Sequence, residues 1–266
     1  MQIARAEFLE KFKETFVARH SYDTALSYWK IKQLIEEGET YFLPESDCIY
    51  MIRNRHLLVY DAPDNRMHLS ADELNALDCL SLPASLYDSV KDRLTGFEAH
   101  SAWRLRYDFS YHPSARPSTR YEAVDFDFAN PDHDAQAAAI ISGGDPNAFN
   151  ANRVRKMTTY TAFDPSLWFF VRDMATGEFA AVSISEYDED VKQTDLDWIY
   201  VAPAYQGKGC GRFLMEETVR RCRDKSDDIC VAGTVDFYRK CGFVNAGLWV
   251  FASKPGYDFN APRITP

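Results

Sequence analysis

The sequence predicts a mixed α/β protein built from two domains. The chain has 266 residues, which is long for one compact α/β domain and comfortable for two of ordinary size. Hydrophobic residues make up 46% of it and charged residues 26%, a composition typical of globular proteins with substantial cores. Apolar runs with helical spacing alternate with short runs rich in β-branched and aromatic residues, and this alternation predicts the α/β class.

The balance of charge narrows the classes of partner. The 30 basic and 40 acidic residues give a formal net charge of −10, with a sequence pI near 5.1. Nucleic acids and anionic membranes are bound through clustered Lys and Arg, so we expect neither as a partner. The acidity is compatible with a cationic or amine-bearing substrate, although most acidic proteins are simply soluble.

Targeting and cysteine patterns favour a cytoplasmic location. The first residues, MQIARAEFLEKFKETF, carry charges every few positions and lack the apolar core of a signal peptide. No stretch approaches the ~20 apolar residues of a membrane span. No cysteine has the CxxC spacing of a zinc site or a thioredoxin-like motif, so we expect reduced thiols and no metal. The cysteines are Cys48, Cys79, Cys210, Cys222, Cys230 and Cys241.

Turn and capping signals place several elements. Residues Cys48–Asp61 carry two apolar stretches around a polar Arg-Asn-Arg segment, which predicts a β-hairpin. Ser70 and Glu73 have capping-box spacing and predict the start of a helix. Asn130 followed by Pro131 predicts another helix start, because proline is favoured at the first helical position after an N-cap.

A linker is predicted between the two halves. The segment His112–Thr119, HPSARPST, holds two prolines and three Ser or Thr residues, and the pattern of elements restarts after it. We therefore predict an N-terminal α/β domain over residues 1–112, a linker over 113–119 and a second domain over 120–266.

The stretch Asp195–Lys225 carries the strongest chemical signal. Asp195–Val201 is typical of a strand, Pro203 ends it, and QGKGCG from Gln206 precedes a predicted helix. Strand, glycine-rich loop and helix form a phosphate-binding arrangement, because glycines let backbone N–H groups converge on an anion and the helix N-terminus adds partial positive charge. A glycine-rich loop alone is weak evidence, since many such loops are only tight turns.

The spacing argues against two common phosphate ligands. The glycines follow G-x-G-x-G, with Arg212 where the dinucleotide fingerprint G-x-G-x-x-G needs its last glycine. No Lys-Ser or Lys-Thr pair follows with P-loop spacing, which argues against a nucleoside triphosphate.

Two motifs of the second half resemble those of the GNAT acetyltransferases. The pattern V-x-P-x-x-Q-G-x-G-x-G from Val201 to Gly211 resembles the family's acetyl-CoA pyrophosphate loop. Downstream, DFYRKCGF at Asp236–Phe243 is similar to the family's F-Y-x-x-x-G-F helix. The resemblance covers roughly Tyr121 to Lys254. It implies the GNAT acyl-CoA N-acyltransferase fold, a mostly antiparallel mixed sheet flanked by helices, with acetyl-CoA as cosubstrate.

The resemblance assigns cofactor contacts to two segments. Backbone groups of Ile199, Tyr200 and Val201 would face the acetyl-pantetheine end, where an N–H polarises the thioester carbonyl. The side chains of Lys208 and Arg212 would add charge beside the pyrophosphate, with solvated loop charge as the alternative. The backbone amides that would hold the pyrophosphate are those of Gln206, Gly207, Lys208, Gly209, Cys210, Gly211 and Arg212.

The resemblance also assigns the two proton transfers. An attacking amine loses a proton and a departing thiolate gains one. Tyr238 matches the position that often supplies the acid, with a packed helix tyrosine as the alternative. Asp195 and Asp197 lie on one face of the predicted strand; one of them is a candidate base, and ordinary strand-end charge is the alternative. Cys210 and Cys241 have no histidine partner by motif, so covalent catalysis is not expected.

The N-terminal half echoes the second half. The pattern G-F-x₅-W begins at Gly96 and again at Gly242, an offset of 146. Tyr50–Asn54 is also similar to Phe169–Asp173. These echoes indicate a degenerate GNAT-like domain in tandem with the second. No Q-G-x-G-x-G loop occurs before residue 200, so this copy is not expected to bind acetyl-CoA in the same manner.

The predicted activity is transfer of an acetyl group from acetyl-CoA to a primary amine by direct attack in a ternary complex. The acceptor would be a small-molecule or peptide amine, and its identity and the oligomeric state are left open. One alternative is a non-catalytic acyl-CoA-binding or sensor protein on the same fold. Another is a tandem GNAT that transfers aminoacyl groups from charged tRNA, which the net charge of −10 disfavours.

Overall fold

The computed structural model describes residues 1–18, 26–112, 119–143, 145, 149–233 and 235–257. These residues form eight α-helices and eleven strands, joined by loops and short 3₁₀ turns. In chain order they are α1 (Arg5–Ala18), α2 (Tyr28–Leu34), β1 (Glu39–Leu43), β2 (Cys48–Arg53), β3 (His56–Asp61), α3 (Ala71–Asn75), β4 (Cys79–Pro83), α4 (Ala84–Val90), β5 (Glu98–Tyr107), β6 (Tyr121–Asp125), α5 (Pro131–Ser142), α6 (Ala151–Met157), β7 (Phe169–Asp173), β8 (Phe179–Asp188), β9 (Gln193–Val201), α7 (Cys210–Cys222), β10 (Asp228–Ala232), α8 (Val235–Lys240) and β11 (Phe243–Ser253).

The chain divides into two compact units. The first comprises Met1–Arg104 together with Ala246–Pro266, and the second comprises Leu105–Asn245. Strands β5 and β11 therefore each run from one unit into the other. Most of the predicted linker, residues 113–118, lies outside the described residues. The predicted domain boundaries at 112 and 120 stay a prediction.

The first unit contains a mixed sheet. Strands β1, β2 and β3 pair antiparallel, and β3 pairs parallel with β4. The predicted hairpin is confirmed: Asn54 and Arg55 form its turn with φ of 51° and 59°, the left-handed conformation that tight two-residue hairpins require. The predicted capping box of α3 is also present, since Ser70 and Glu73 each accept from the other's backbone N–H.

Part of β11 extends the sheet of the first unit. Residues 249–253 of β11 pair antiparallel with β4, from Trp249 opposite Pro83 to Ser253 opposite Cys79. Ala252 joins the buried cluster of this unit with Leu80 and Leu82. A strand far away in sequence thus contributes to the same core.

The second unit carries the site. Strands β6, β7, β8 and β9 pair antiparallel in that order, and β9 pairs parallel with β10. Helix α5 begins as predicted, with Asn130 as N-cap and Pro131 in the first turn. The buried cluster draws on the strands through Phe170 and Val182 and on α7 through Met215. The mixed, mostly antiparallel sheet flanked by helices is the predicted fold class.

Both units present their elements in the same order. Two helices, three antiparallel strands, a helix, a parallel strand, a helix and a final strand occur as α1–β5 and again as α5–β11. Gly96 and Gly242 both precede the final strand with positive φ, 73° and 92°. The match of Tyr50–Asn54 with Phe169–Asp173 is wrong, because the former belongs to β2, whereas β7 corresponds in order to β1. Among the described helices, none is both long and apolar enough to cross a membrane.

Candidate functional site

A cleft opens in the second unit where two parallel strands separate. The pairing of β9 with β10 ends at Asp195 opposite Cys230, and β9 continues to Val201. The cleft beyond this point has a volume of about 790 Å³. That volume lies within the ~300–1,000 Å³ typical of small-molecule sites.

The glycine-rich loop forms one end of the cleft. Gly207 and Gly209 have φ of 71° and 84°, a conformation that residues with a Cβ rarely adopt. Gly209 is the N-cap of α7, no side chain caps the helix, and its first turn contains no acidic residue. Because the first N–H groups of a helix have no intrahelical partner, this end presents donors and partial positive charge to an anion.

Hydrogen bonds from three side chains fix the loop. The Gln206 amide donates to the carbonyl of Val201 at 3.2 Å, and the Tyr121 hydroxyl donates to the carbonyl of Lys208 at 3.1 Å. The hydroxyl of Tyr205, just before the loop, donates to a Glu178 carboxylate oxygen at 2.6 Å. These contacts hold the loop backbone in place without using the N–H groups at the helix start.

Gly211 serves packing. A Cβ at this position would lie 3.1 Å from the Phe237 ring and 3.5 Å from a Val201 methyl group. The first turn of α7 therefore lies close against α8 and the end of β9. Phe237 in turn lines the cleft, so the third glycine of the motif shapes the wall of the site.

Tyr238 lies in the cleft as a buried phenol. Its ring packs edge-on against Phe237 and Phe243, with centroid distances of 5.2 and 5.6 Å. Gly233 allows close approach, because a Cβ there would lie 2.8 Å from the Tyr238 ring. Burial raises the pKa of Tyr238 to about 12, so the hydroxyl is protonated at neutral pH. That hydroxyl has no hydrogen bond to any residue the structure describes.

The two candidate carboxylates, Asp195 and Asp197, differ in how deeply they are buried. Asp197 is half-buried and lines the cleft. Asp195 is 6% exposed, lies in the paired part of β9, and has the Cys230 thiol 3.7 Å from its Oδ1. The predicted common strand face is not confirmed, because β9 has one extra residue opposite β8 between Asp195 and Trp198, which interrupts the alternation of side chains there. Asp195 does not line the cleft.

The remaining charged and thiol groups predicted near the site differ in whether they face the cleft and in their protonation. Arg212 lines the cleft and forms an ion pair with Glu216 at 2.8 Å. The Lys208 ammonium lies 5.8 Å from the Tyr205 ring centroid and does not line the cleft. Burial raises the pKa of Cys210 to about 12 and that of Cys241 to about 11, so both thiols are protonated at neutral pH and are poor nucleophiles.

Most of the residues predicted for the site line the cleft, and several others were missed. Asp195, Lys208 and Cys210 are the predicted residues that do not line it. The predicted residues that line it are Asp197, Ile199, Tyr200, Val201, Gln206, Gly207, Gly209, Gly211, Arg212 and Tyr238. The residues that were missed are Leu196, Ala232, Gly233, Phe237, Lys240 and Cys241.

The missed residues come mainly from the end of β10 and from α8. The second motif, Asp236–Phe243, was a sequence signal for this wall, because Phe237, Lys240 and Cys241 all lie within it. Among the described residues, no group of three or more His, Cys, Asp or Glu side chains is arranged to hold a metal ion.

A family model matches part of the second unit. Residues 165–245 match the model of the acetyltransferase (GNAT) domain. This segment is a GNAT domain. It contains β7, β8, β9, the glycine-rich loop, α7, β10 and α8, and therefore every residue that lines the cleft. Among proteins of curated function, none matches the chain by sequence.

Solved GNAT structures share the fold over nearly the whole chain. A GCN5-related N-acetyltransferase from Sphaerobacter thermophilus has a TM-score of 0.67 at 14% identity, covering 97% of this chain and 96% of its own. A GNAT-family acetyltransferase from Colwellia psychrerythraea has a TM-score of 0.64 at 11% identity, covering 96% and 98%. A tandem GNAT protein from the clavulanic acid biosynthesis pathway has a TM-score of 0.60 at 11% identity, covering 95% and 96%. The GNAT fold class is thereby confirmed, including the second, N-terminal α/β part.

Proposed function

We propose that the protein transfers an acetyl group from acetyl-CoA to a primary amine by direct attack in a ternary complex. The observation that carries the proposal is the cleft of the GNAT domain, which joins an anion-binding helix N-terminus to a buried, protonated tyrosine. Acetyl-CoA would supply the acetyl group as an activated thioester. The acceptor is a small-molecule or peptide amine.

The residues of the cleft suit acetyl-CoA in size and in charge. The N–H groups around Gly209 and the first turn of α7 would bind the pyrophosphate. A Cβ at Gly207 or Gly209 would meet nothing within 4 Å, so the space beside both glycines is open to a ligand. Backbone groups of β9 from Ile199 to Val201 would hold the pantetheine arm and the thioester carbonyl along the cleft wall.

Two side chains of the cleft would move the protons. Asp197 is the preferred base, because it lines the cleft, whereas Asp195 is buried in the paired part of the sheet. Tyr238 is the proposed acid toward the departing thiolate, since its hydroxyl is protonated at neutral pH. The cysteines take no covalent part, because their thiols are protonated at neutral pH and direct attack needs no protein nucleophile.

A turnover screen tests the proposal. Purified protein is mixed with acetyl-CoA and a panel of primary amines, and release of free thiol is followed together with the mass of the acetylated amine. We expect amine-dependent thiol release with a mass gain of one acetyl group on the acceptor. Thiol release without an acetylated amine would indicate hydrolysis and contradict the proposal.

Binding measurements beside this screen separate the alternatives. Tight binding of acetyl-CoA without turnover of any amine would favour a non-catalytic acyl-CoA-binding protein. Binding of charged tRNA at low salt, followed by aminoacyl transfer, would favour the tRNA-dependent alternative.

A further inference from the structure

An arginine beside the cleft is held by two aromatic rings and has no acidic partner among the residues that the structure describes. Arg153 lies in the first turn of α6, and its guanidinium carbon is 4.8 Å from the Phe149 ring centroid and 5.0 Å from the Trp198 ring centroid. The two rings are themselves in contact, 4.6 Å apart between centroids. The Arg153 side chain is exposed and forms no ion pair with any described residue.

The neighbouring cation on the same helix provides a contrast. Arg155 is tied to the fold by an ion pair with the buried Asp134 and a hydrogen bond to the carbonyl of Phe128. Arg155 therefore has a structural partner for its charge, whereas Arg153 is held by the faces of two aromatic rings. Stacking orients a guanidinium while its N–H edge stays available to an oxygen ligand.

Aromatic contacts connect Arg153 to the cleft. The rings of Trp198 and Tyr200 follow each other on one face of β9 and are stacked, with centroids 6.2 Å apart and planes at 21°. Tyr200 is 40% exposed and lines the cleft. These contacts put the guanidinium within about 11 Å of the Tyr200 ring. We call Phe149, Arg153, Trp198 and Tyr200 the aromatic shelf.

We propose that the acceptor is an amine that also carries a carboxylate, with a flat apolar part between the two groups. The amine enters the cleft, the flat part stacks on Trp198 and Tyr200, and the carboxylate binds the Arg153 guanidinium. A planar guanidinium binds a carboxylate through two parallel hydrogen bonds, which suits an oriented arginine better than a lysine. This inference rests on the proposed acetyl transfer and names the acceptor class for the same site.

Two probes that differ in one group test the inference. The probes are 4-(aminomethyl)benzoate and 4-(aminomethyl)benzamide, which share ring and amine but only one of which carries a carboxylate. Binding of each is measured by calorimetry with coenzyme A present, and kcat/KM for acetylation is measured separately. We expect the benzoate to be favoured about tenfold in both measurements, as a charge-assisted hydrogen-bond pair predicts.

Matched variants locate the preference. Arg153→Gln should remove the preference for the benzoate and leave the benzamide unchanged. Lys156→Gln removes the same charge from an exposed residue of the same helix and should leave the preference intact. Arg153→Lys should restore only part of it, because an ammonium lacks the planar pair of donors.

The outcomes are distinguishable from those of the proposed function. Equal binding of the two probes to the unmodified protein, or a preference that survives in Arg153→Gln, would overturn the inference. Preferential binding of the benzoate that depends on Arg153, without acetylation of either probe or of any other amine, would support the carboxylate site and count against the proposed transfer.

Discussion

The two units share an order of elements but differ where a helix follows the third antiparallel strand. In the first unit that helix is α3, only five residues long, with Ser70 and Glu73 closing a capping box at its start. Its first turn also carries the acidic Asp72 and Glu73. In the second unit the helix is α7, whose N-cap Gly209 gives no side-chain cap and whose first turn has no acidic residue. A helix N-terminus attracts an anion only where its own side chains leave it open.

The strand separation behind each helix shows the same contrast. In the first unit β3 and β4 pair only at His56 and Leu57 with Cys79 and Leu80, and a cavity of about 300 Å³ lies beyond. The corresponding cleft of the second unit measures about 790 Å³. The framework thus provides a gap between parallel strands in both units. The second unit, which we expect to bind acetyl-CoA, differs from the first in its glycine-rich loop and in the larger volume of its gap.

The tyrosines of the two units give the largest expected difference. Tyr87 is the fourth residue of α4, as Tyr238 is of α8, but Tyr87 is half-exposed and packs against the apolar core of the first unit. We expect Tyr238→Phe to lower kcat by about 100-fold, because it removes the only proton this side chain donates. Tyr87→Phe should leave kcat unchanged. Acetyl-CoA affinity should be unchanged in both variants.

The pH profile sharpens the role of Tyr238. A pKa raised to about 12 means that the phenol keeps its proton below that pH, and loses it only at higher pH. The ratio of kcat between the unmodified protein and Tyr238→Phe should therefore be constant from about pH 6 to about pH 10. An ordinary tyrosine, with a pKa of about 10, would already be losing its proton at the upper end of that range. A ratio that falls toward one already near pH 8 would mean that another group donates the proton.

The carboxylates of β9 give a smaller and pH-dependent effect. Asp197→Asn should lower kcat/KM by at least about tenfold at acidic pH, where the amine most needs deprotonation, and less at alkaline pH. Asp195→Asn is the control from the paired part of the same strand, and any loss there should be equal at every pH. The reverse result, a pH-dependent loss confined to Asp195→Asn, would exchange the two roles.

The cap of α3 gives the smallest expected effect. Ser70→Ala removes the hydroxyl that accepts from the Glu73 N–H, and should lower the free energy of unfolding by about 1 kcal/mol. Acetyl-CoA affinity should not change, since this helix is not expected to bind it. Denaturant unfolding and an acetyl-CoA titration measure the two quantities. A clear loss of affinity would link α3 to the cofactor and break the contrast between the units.

Local signals in the sequence account for much of the site. The positive φ of Gly207 and Gly209 and the helix start at Cys210 follow from short-range chemistry that glycine spacing encodes. The hairpin turn and the caps of α3 and α5 were predicted for the same reason. Short-range patterns failed where they were compared between strands. The Tyr50–Asn54 match was out of step because short continuous apolar runs, such as the first three residues of both segments, are common among buried strands.

Long-range features lay beyond the sequence. A two-residue spacing predicts one strand face for Asp195 and Asp197, but β9 has an extra residue opposite β8 between Asp195 and Trp198. The depth of the two carboxylates depends on where the pairing with β10 ends. The wall formed by Gly233 and Lys240 depends on the position of α8. Nothing local to residues 249–253 indicates that they pair with β4. Each of these features is set by contacts between segments distant in sequence.

A calorimetric titration of acetyl-CoA into the full chain tests the central claim most directly. We expect one site per chain, since the helix of the first unit that corresponds to α7 in chain order, α3, is closed at its start by a capping box and acidic side chains. Gly209→Val should weaken binding at least about tenfold, a change of ~1.4 kcal/mol, because a side chain would enter the space left for the pyrophosphate. Gly177→Val is the matched control: its φ of 74° imposes similar backbone strain in the β7–β8 turn, with equally open surroundings. Two sites per chain, or equal affinity in the Gly209 and Gly177 variants, would contradict the account.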